Sequence, residues 1–294
     1  MSACRSSPRA GSAVGASPGS LSSATSARTS SPRMREPTAS PQRRLGNEAL
    51  TAMTQLGTFS EYVVTSEKRV DQARPPRSPP FMPQLWSPAV SPPGGGSATE
   101  SAGTEPGDTV VVIGTGGVGM NAVQGARAVG AQHVIAVDPS LFKRDLAPKF
   151  GATHTSESAE AAIELVGALT AGVMADRVIV TMGVVRTDII PPVALMLTRK
   201  GGTCVVTGMT PVTELSVPMS LADLVVSHKQ LKGVLYGGLN PRTSMPRLLS
   251  MYQSGTLMLD ELVTRRYRLE NINDAIDDLR TSRNIRGVIE FPSL

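Results

Sequence analysis

A glycine-rich turn between two apolar runs most strongly constrains what this chain can fold into. Residues 110–113 form a short β-branched run of the kind found in buried parallel strands. The next six residues fit the pattern G-x-G-x-x-G and open a predicted helix, and a second apolar run ends at Asp138. Strand, turn, helix, strand and acid in this order predict a βαβ unit that binds the pyrophosphate of a dinucleotide.

Each part of this unit has an expected task. Gly114 is expected to make the tight turn, Gly116 to admit the pyrophosphate and Gly119 to let the helix pack on the strand. The first N–H groups of the helix, at its positive dipole end, would face the phosphates. Asp138 would bind both hydroxyls of the adenosine ribose and repel a 2′-phosphate, which favours NAD over NADP. The candidate cofactor-binding residues of the turn are Gly114, Thr115, Gly116, Gly117, Val118 and Gly119.

From Gly107 to its end, the chain alternates strand and helix patterns. After the opening unit, strands are predicted at 152–154, 177–182, 202–207, 229–235 and 288–291, and helices at 141–150, 159–170, 188–198, 242–253 and 270–281. Such alternation requires right-handed βαβ crossovers. It predicts an α/β fold with a doubly wound parallel sheet, the Rossmann architecture, over residues 96–294.

The N-terminal third differs in composition. Residues 1–44 are rich in Ser, Ala, Arg and Pro with few large apolar side chains, so disorder is predicted there. A transit peptide is an alternative with a similar composition, although the prolines would interrupt its helix. Residues 45–70 have a globular mixture, whereas residues 71–95 are proline-rich and again predicted to be disordered.

Charge and cysteine usage limit the possible partners. The net charge of +5 arises mainly before residue 107, so the predicted α/β domain has no basic footprint for nucleic acid. No apolar run approaches the roughly 18 residues of a membrane span. Cys4 and Cys204 lie too far apart to suggest a disulfide framework. We therefore expect a cytoplasmic protein without nucleic-acid or membrane partners.

From residue 45 onward the chain resembles the medium-chain, zinc-type alcohol dehydrogenases. Two kinds of feature carry the resemblance. One is the pair Asp138 and Lys143, and the other is a set of sequence segments, namely 107–110, 150–154, 206–208, 232–238 and 285–286. The resemblance implies that Lys143 joins Asp138 at the ribose and that Arg286 reaches the pyrophosphate. It also implies that Gly208 and Met209 border the nicotinamide. The sequence around the glycine turn is most similar to that of actinobacterial members, some of which use a nitroso compound as electron acceptor.

The same resemblance implies hydride transfer between a small alcohol or aldehyde and NAD, with a catalytic zinc held by an N-terminal, GroES-like domain. The zinc ligands of that domain are not found here, because Cys4 is the only cysteine before the cofactor domain and all three histidines lie within it. We therefore nominate no catalytic or metal-ligating residue and expect impaired activity. Residues 45–70 are interpreted as a remnant of the missing domain. Residues 1–43 and 71–95 are hypothesised to be read out of frame, with a genuine proline-rich linker as the alternative.

Two other functions remain open at this point. One is a zinc-free reductase that resembles quinone reductases, and the other is a non-catalytic NAD-binding or dimerising module. By the same resemblance, a homodimer would form through the sheet edge near residues 229–235. Cys204 is interpreted as a core residue, His133 and His154 as non-ligands, and the basic cluster 265–268 as a solvated edge.

Overall fold

The computed structural model describes residues 44–45, 48–49, 94–183, 185, 190–209 and 216–291. The chain divides into two compact units, Met1–Thr58 and Phe59–Leu294. In the first unit, the short strands β1 (Arg44–Leu45) and β2 (Glu48–Ala49) pair antiparallel. The segments predicted to be disordered, and the predicted remnant at 45–70, lie mostly outside the described residues.

The second unit is built on one parallel sheet of six strands. These are β3 (Thr109–Ile113), β4 (His133–Val137), β5 (His154–Ser156), β6 (Ala175–Val180), β7 (Thr198–Val206) and β8 (Gln230–Gly233). Their spatial order is β5-β4-β3-β6-β7-β8, and every neighbouring pair is parallel. This is the predicted doubly wound Rossmann sheet. The direction of winding reverses between β3 and β6, and ligands bind at the carboxyl ends of strands at such a point.

Helices cover both faces of this sheet. They are α1 (Gly117–Val129), α2 (Leu141–Leu146), α3 (Ala159–Leu169), α4 (Ile190–Leu197), α5 (Leu221–Val226) and α6 (Pro241–Gln253). Short 3₁₀ turns follow at Ala147–Phe150, Tyr236–Gly238, Asp260–Leu262 and Leu269–Asn271, and a π-helical turn spans Ser97–Ser101. Local signals fix several ends: the Ser158 hydroxyl accepts from the Ala161 amide to cap α3, and Gly130 ends α1 with φ of +97°.

Alternate residues of the central strands serve two separate cores. Val110 and Val112 of β3 face one core, where Met120 and Val123 of α1 pack against them. Val111 faces the other core, together with residues of α3 and α4. All five residues of β3 are buried. A strand apolar on both faces is what a parallel sheet covered by helices requires, and the glycine turn follows directly from this buried strand.

The C-terminal segment forms a second, smaller sheet that was not predicted. Strands β9 (Val263–Arg268) and β10 (Arg286–Glu290) pair in parallel, with helix α7 (Ile272–Arg280) between them. The basic cluster 265–268 lies on β9 with its arginines exposed. Helix α5 was also missed, and two predicted strands are displaced: 152–154 lies at His154–Ser156, and 177–182 lies at Ala175–Val180. Among the described residues, no helix has the length and apolar character to cross a membrane.

Candidate functional site

The glycine turn lies at the carboxyl end of β3, at the winding reversal of the sheet. Gly114 has φ of +91°, which favours glycine, and its amide donates to the Val137 carbonyl at 2.8 Å. A Cβ at Gly119 would overlap the Gly114 carbonyl oxygen, so helix α1 reaches the strand only because this position lacks a side chain. Around Gly116, by contrast, a Cβ would have no neighbour within 4 Å. These environments suit the three tasks predicted for the glycines.

Helix α1 starts directly behind this open position. Gly116 precedes the helix in extended conformation, Gly117 is its first residue, and the Met120 amide donates to the Gly116 carbonyl. Val118 is partly buried in the first turn. The N–H groups of a first helical turn have no intrahelical partners and attract anions. The geometry therefore matches a phosphate cradle.

Asp138 directly follows β4 and fastens the glycine turn. Its Oδ2 accepts from the Thr115 amide at 2.8 Å, and its Oδ1 accepts from the Ser140 amide at 3.0 Å. The residue is only 4% exposed. Each carboxylate oxygen has two acceptor sites, so Asp138 can hold the turn and still accept from a ligand hydroxyl. The acid that was predicted from sequence as a ribose contact thus fastens the glycine turn to the residues after β4.

Lys143 lies beside Asp138. Its Nζ is 3.7 Å from Asp138 Oδ2, and both side chains are largely buried. The same ammonium donates to the Ser282 hydroxyl at 3.2 Å. Arg144, the next residue of α2, donates to the carbonyls of Asp138 and Pro139. The corner after β4 therefore combines one carboxylate with two cations.

Gly208 and Met209 follow β7 on the same edge of the sheet. A Cβ at Gly208 would overlap the Met182 carbonyl oxygen, and a Cβ at Gly114 would lie 2.9 Å from Met182 Cγ. Met182 thus lies between the two glycines. Met209 is 59% exposed, and its carbonyl accepts from the Val185 amide at 3.1 Å. The segment expected to border the nicotinamide therefore flanks the turn.

Arg286 starts β10, in the small C-terminal sheet. Burial lowers the pKa of its guanidinium below the ordinary value. Its Nε, the Thr115 hydroxyl and the Asn284 amide oxygen are buried polar atoms without a hydrogen-bond partner among the described residues. An unpaired buried polar atom costs free energy, and a ligand bound against such an atom would supply the missing hydrogen bond. Two of them, on Thr115 and Arg286, belong to the residues predicted to bind the cofactor.

Comparison with known proteins shows which family this chain belongs to. Residues 117–254 match the family model described as zinc-binding dehydrogenase. The alcohol dehydrogenase B of Mycobacterium tuberculosis (strain ATCC 25618 / H37Rv) is 43% identical over 239 residues, which are 81% of this chain and 63% of that protein. The NDMA-dependent alcohol dehydrogenase of Amycolatopsis methanolica is 44% identical over 241 residues, with the same coverage of each chain. Through this domain, the chain belongs to the zinc-binding dehydrogenase family.

A solved zinc-binding dehydrogenase structure has the same fold. The protein from Sinorhizobium meliloti 1021, described as a putative zinc-binding dehydrogenase bound to NADP, is 28% identical with a TM-score of 0.57. The match covers 68% of this chain and 58% of that one. The chain spans less than two thirds of the length of the curated relatives reported above. Their 239 and 241 matched residues exceed the length of 107–294, so the similarity begins before residue 107.

Zinc, which the family name implies, does not fit the described part of the domain. Among the described residues, no group of three or more His, Cys, Asp or Glu side chains could hold a metal ion. Burial raises the pKa of Cys204 to about 12, which keeps its thiol protonated and unsuited to a metal. The His133 and His154 rings contact each other edge to face, with centroids 5.7 Å apart. Cys4 lies outside the described residues.

Three residues of the candidate site were not predicted from the sequence. The Ser140 amide holds Asp138, the Ser282 hydroxyl holds Lys143, and the Thr181 hydroxyl donates to the carbonyls of Ile113 and Gly114. Thr181 carried a usable signal, because it directly follows a strand of the parallel sheet and strand ends share one edge. Ser282 carried none, since it is 139 positions away from Lys143 in sequence.

Proposed function

We propose that this chain binds NAD(H) at the carboxyl edge of its sheet, as the cofactor domain of an alcohol dehydrogenase. Membership of the zinc-binding dehydrogenase family, with alcohol dehydrogenases among the relatives, supports an oxidoreductase function. The finer proposal rests above all on Asp138, whose carboxylate joins the glycine turn to Lys143. The adenosine ribose would bind at this carboxylate, and the pyrophosphate would lie over Gly116 at the start of α1.

The unpaired buried atoms support this placement. The Thr115 hydroxyl lies in the turn itself, and the Arg286 guanidinium carries a positive charge that a pyrophosphate would compensate. Gly208 and Met209 would border the nicotinamide beyond Met182. A bound nicotinamide cofactor would accept or donate the hydride, while the protein binds it and orients it. No described residue is assigned to substrate activation.

The choice between NAD and NADP depends on the corner after β4. The carboxylate of Asp138 would repel a 2′-phosphate, which supports NAD. Arg144 is the competing feature, since an arginine near the ribose accommodates NADP, and the Sinorhizobium protein is described as bound to NADP. In this chain Arg144 is already engaged with two backbone carbonyls, so we favour NAD.

Fluorescence titration of the full chain with NADH and NADPH tests the proposal. We expect NADH to bind with at least a tenfold lower Kd than NADPH. An Arg286→Met variant should bind NADH more weakly, yet unfold no more easily, because it removes a buried charge that lacks full pairing. Lack of binding by either nucleotide contradicts the cofactor proposal. Equal affinities contradict the role given to Asp138.

For the whole protein we propose hydride transfer between a small alcohol or aldehyde and NAD, with impaired turnover. The family requires a catalytic zinc, and the sequence before residue 107 does not contain the cysteine and histidine ligands that would hold it. Metal analysis of the purified chain, with an NAD-dependent alcohol assay, tests this proposal. If the purified chain contains one zinc per chain and oxidises alcohols with NAD at an appreciable rate, the proposal of impaired turnover is wrong. Resequencing the gene tests the frame hypothesis for 1–43 and 71–95, which fails if no shifted frame encodes a family-like cysteine segment.

A dimerising module is the second function that an observation favours. Large apolar side chains near the edge strand β8 are strongly exposed, namely Leu221 (68%), Val225 (64%), Val226 (79%) and Leu235 (73%). Exposed apolar groups of this kind mark interaction surfaces. We propose that two copies pair through this edge in a homodimer. Sedimentation of the wild type and a Val226→Lys variant tests this, and a monomeric wild type at micromolar concentration would contradict it.

A further inference from the structure

Ser282 has an unusual backbone conformation at the end of helix α7. Its φ is +57°, in the left-handed region where glycine is favoured. The Arg283 amide donates to the Asp278 carbonyl at 2.8 Å, and the Ser282 amide donates to the Leu279 carbonyl at 3.3 Å. These bonds make the helix-end motif in which glycine is the usual left-handed residue. A serine here costs free energy that glycine would avoid.

The side chain of Ser282 contacts the proposed ribose corner. Its hydroxyl accepts from Lys143 Nζ at 3.2 Å, and its carbonyl accepts from the Ser140 hydroxyl at 3.4 Å. Ser140 and Lys143 belong to the start of α2, which follows Asp138 directly. The C-terminal segment is thus joined to the corner at two points, both through one residue.

We propose that Ser282 is a positioning residue that orients Lys143 for the cofactor. This inference rests on the proposed binding of NAD at Asp138. An ammonium has three N–H donors. The Ser282 hydroxyl takes one, and Asp138 Oδ2 attracts the group from 3.7 Å. The ammonium is thus held between Ser282 and Asp138, and its remaining N–H donors would serve a ribose hydroxyl or a phosphate oxygen.

The burial of the pair makes this orientation consequential. The Lys143 side chain is 12% exposed and that of Asp138 is 5% exposed. A long lysine side chain loses considerable rotamer entropy when it is ordered. If Ser282 orders it before the cofactor arrives, less of that entropy is lost on binding, and affinity rises without a new contact to the ligand. The strained serine would therefore be retained for its hydroxyl.

A Ser282→Gly variant separates the two roles of this residue. Glycine suits the left-handed conformation, so we expect a melting temperature equal to or above that of the wild type. The hydroxyl is lost, so the Kd for NADH should rise about three- to tenfold, as expected for the net contribution of one ordinary hydrogen bond. Wild-type affinity in this variant would overturn the inference while leaving the proposed function intact.

Two further variants test whether Ser282 acts through Lys143 and whether backbone strain alone matters. In a Lys143→Met background, Ser282→Gly should weaken NADH binding no further, and an undiminished effect there would show that Ser282 does not act through Lys143. Ala171→Gly is the matched control, because Ala171 also has a left-handed φ of +49° but lies before β6, at the opposite edge of the sheet. It should leave the Kd unchanged, and a rise equal to that of Ser282→Gly would overturn the inference. A wild type that fails to bind NADH would overturn both the proposed function and this inference.

Discussion

Replacing Asp138 with asparagine should damage the stability of the domain and its cofactor binding together. The carboxylate accepts from two backbone amides, that of Thr115 in the glycine turn and that of Ser140 just before α2. Asparagine has nearly the same shape, but one of its two terminal groups donates instead of accepting. One of the two amides must therefore face a donor.

The size of the effect follows from these two bonds. The amide that faces the new NH₂ group loses its partner in a buried site, which costs about 1–3 kcal/mol. The other bond changes from charge-assisted to neutral, which costs about 1 kcal/mol. We therefore expect the free energy of unfolding to fall by about 2–4 kcal/mol. NADH affinity should fall at least tenfold, since the turn loosens and the ribose loses an anionic acceptor.

Urea unfolding and NADH titration of the same preparations measure both effects. Asp145→Asn is the matched control, because Asp145 is an exposed residue of the adjacent helix α2 that undergoes the same chemical change. It should change the free energy of unfolding by less than about 0.5 kcal/mol and leave the Kd for NADH unaltered. If Asp138→Asn behaves like this control, Asp138 neither fastens the turn nor binds the ribose, and the reasoning is wrong.

Three further predictions concern packing, reactivity and pH. Gly119→Ala should lower the free energy of unfolding by at least about 3 kcal/mol in urea, the upper range for overpacking, whereas Gly167→Ala, with no neighbour near its Cβ position inside α3, should raise it by about 0.5–1 kcal/mol. Cys204, whose pKa burial raises to about 12, should resist a disulfide reagent at pH 8 until the chain unfolds, as followed by mass spectrometry of its peptide. The pKa of Asp278 is held below its ordinary value, first by the hydrogen bond from the Tyr267 hydroxyl. The stabilising effect of Asp278 is therefore present above its unfolded pKa and is lost as pH falls through its lower folded pKa. Tyr267→Phe should move that loss to higher pH in acid unfolding followed by circular dichroism, and an unchanged acid profile would contradict the assignment.

Much of the sheet could be predicted because its determinants are local. The run at β3 is apolar on both faces, and the glycine at 114 marks where it must turn. The crossovers then follow from the handedness of βαβ units. The same logic located Asp138 at the carboxyl end of β4. The prediction of Lys143 and Arg286 relied instead on family resemblance, since their spacing alone suggests no contact.

What escaped prediction depends on long-range contacts. Helix α5 and strand β9 were missed because their residues are exposed and their patterns weak. The displaced ends of β5 and β6 reflect pairing with neighbouring strands, which sequence periodicity does not specify. The link from Ser282 to Lys143 requires the C-terminal sheet to fold back to the start of α2. No local pattern encodes such a return.

Cofactor binding and turnover are expected to differ in their dependence on zinc. The contacts that fasten the glycine turn and the ribose corner all come from residues between Ile113 and Ser282. Affinity for the adenosine half of NADH should therefore not depend on zinc, because no candidate metal group occurs among the described residues. Turnover, by contrast, requires a group that polarises the substrate oxygen, which in this family is zinc. A chelator should accordingly leave the NADH Kd unchanged even if it alters turnover, and a Kd that follows zinc content would place a metal against the cofactor site.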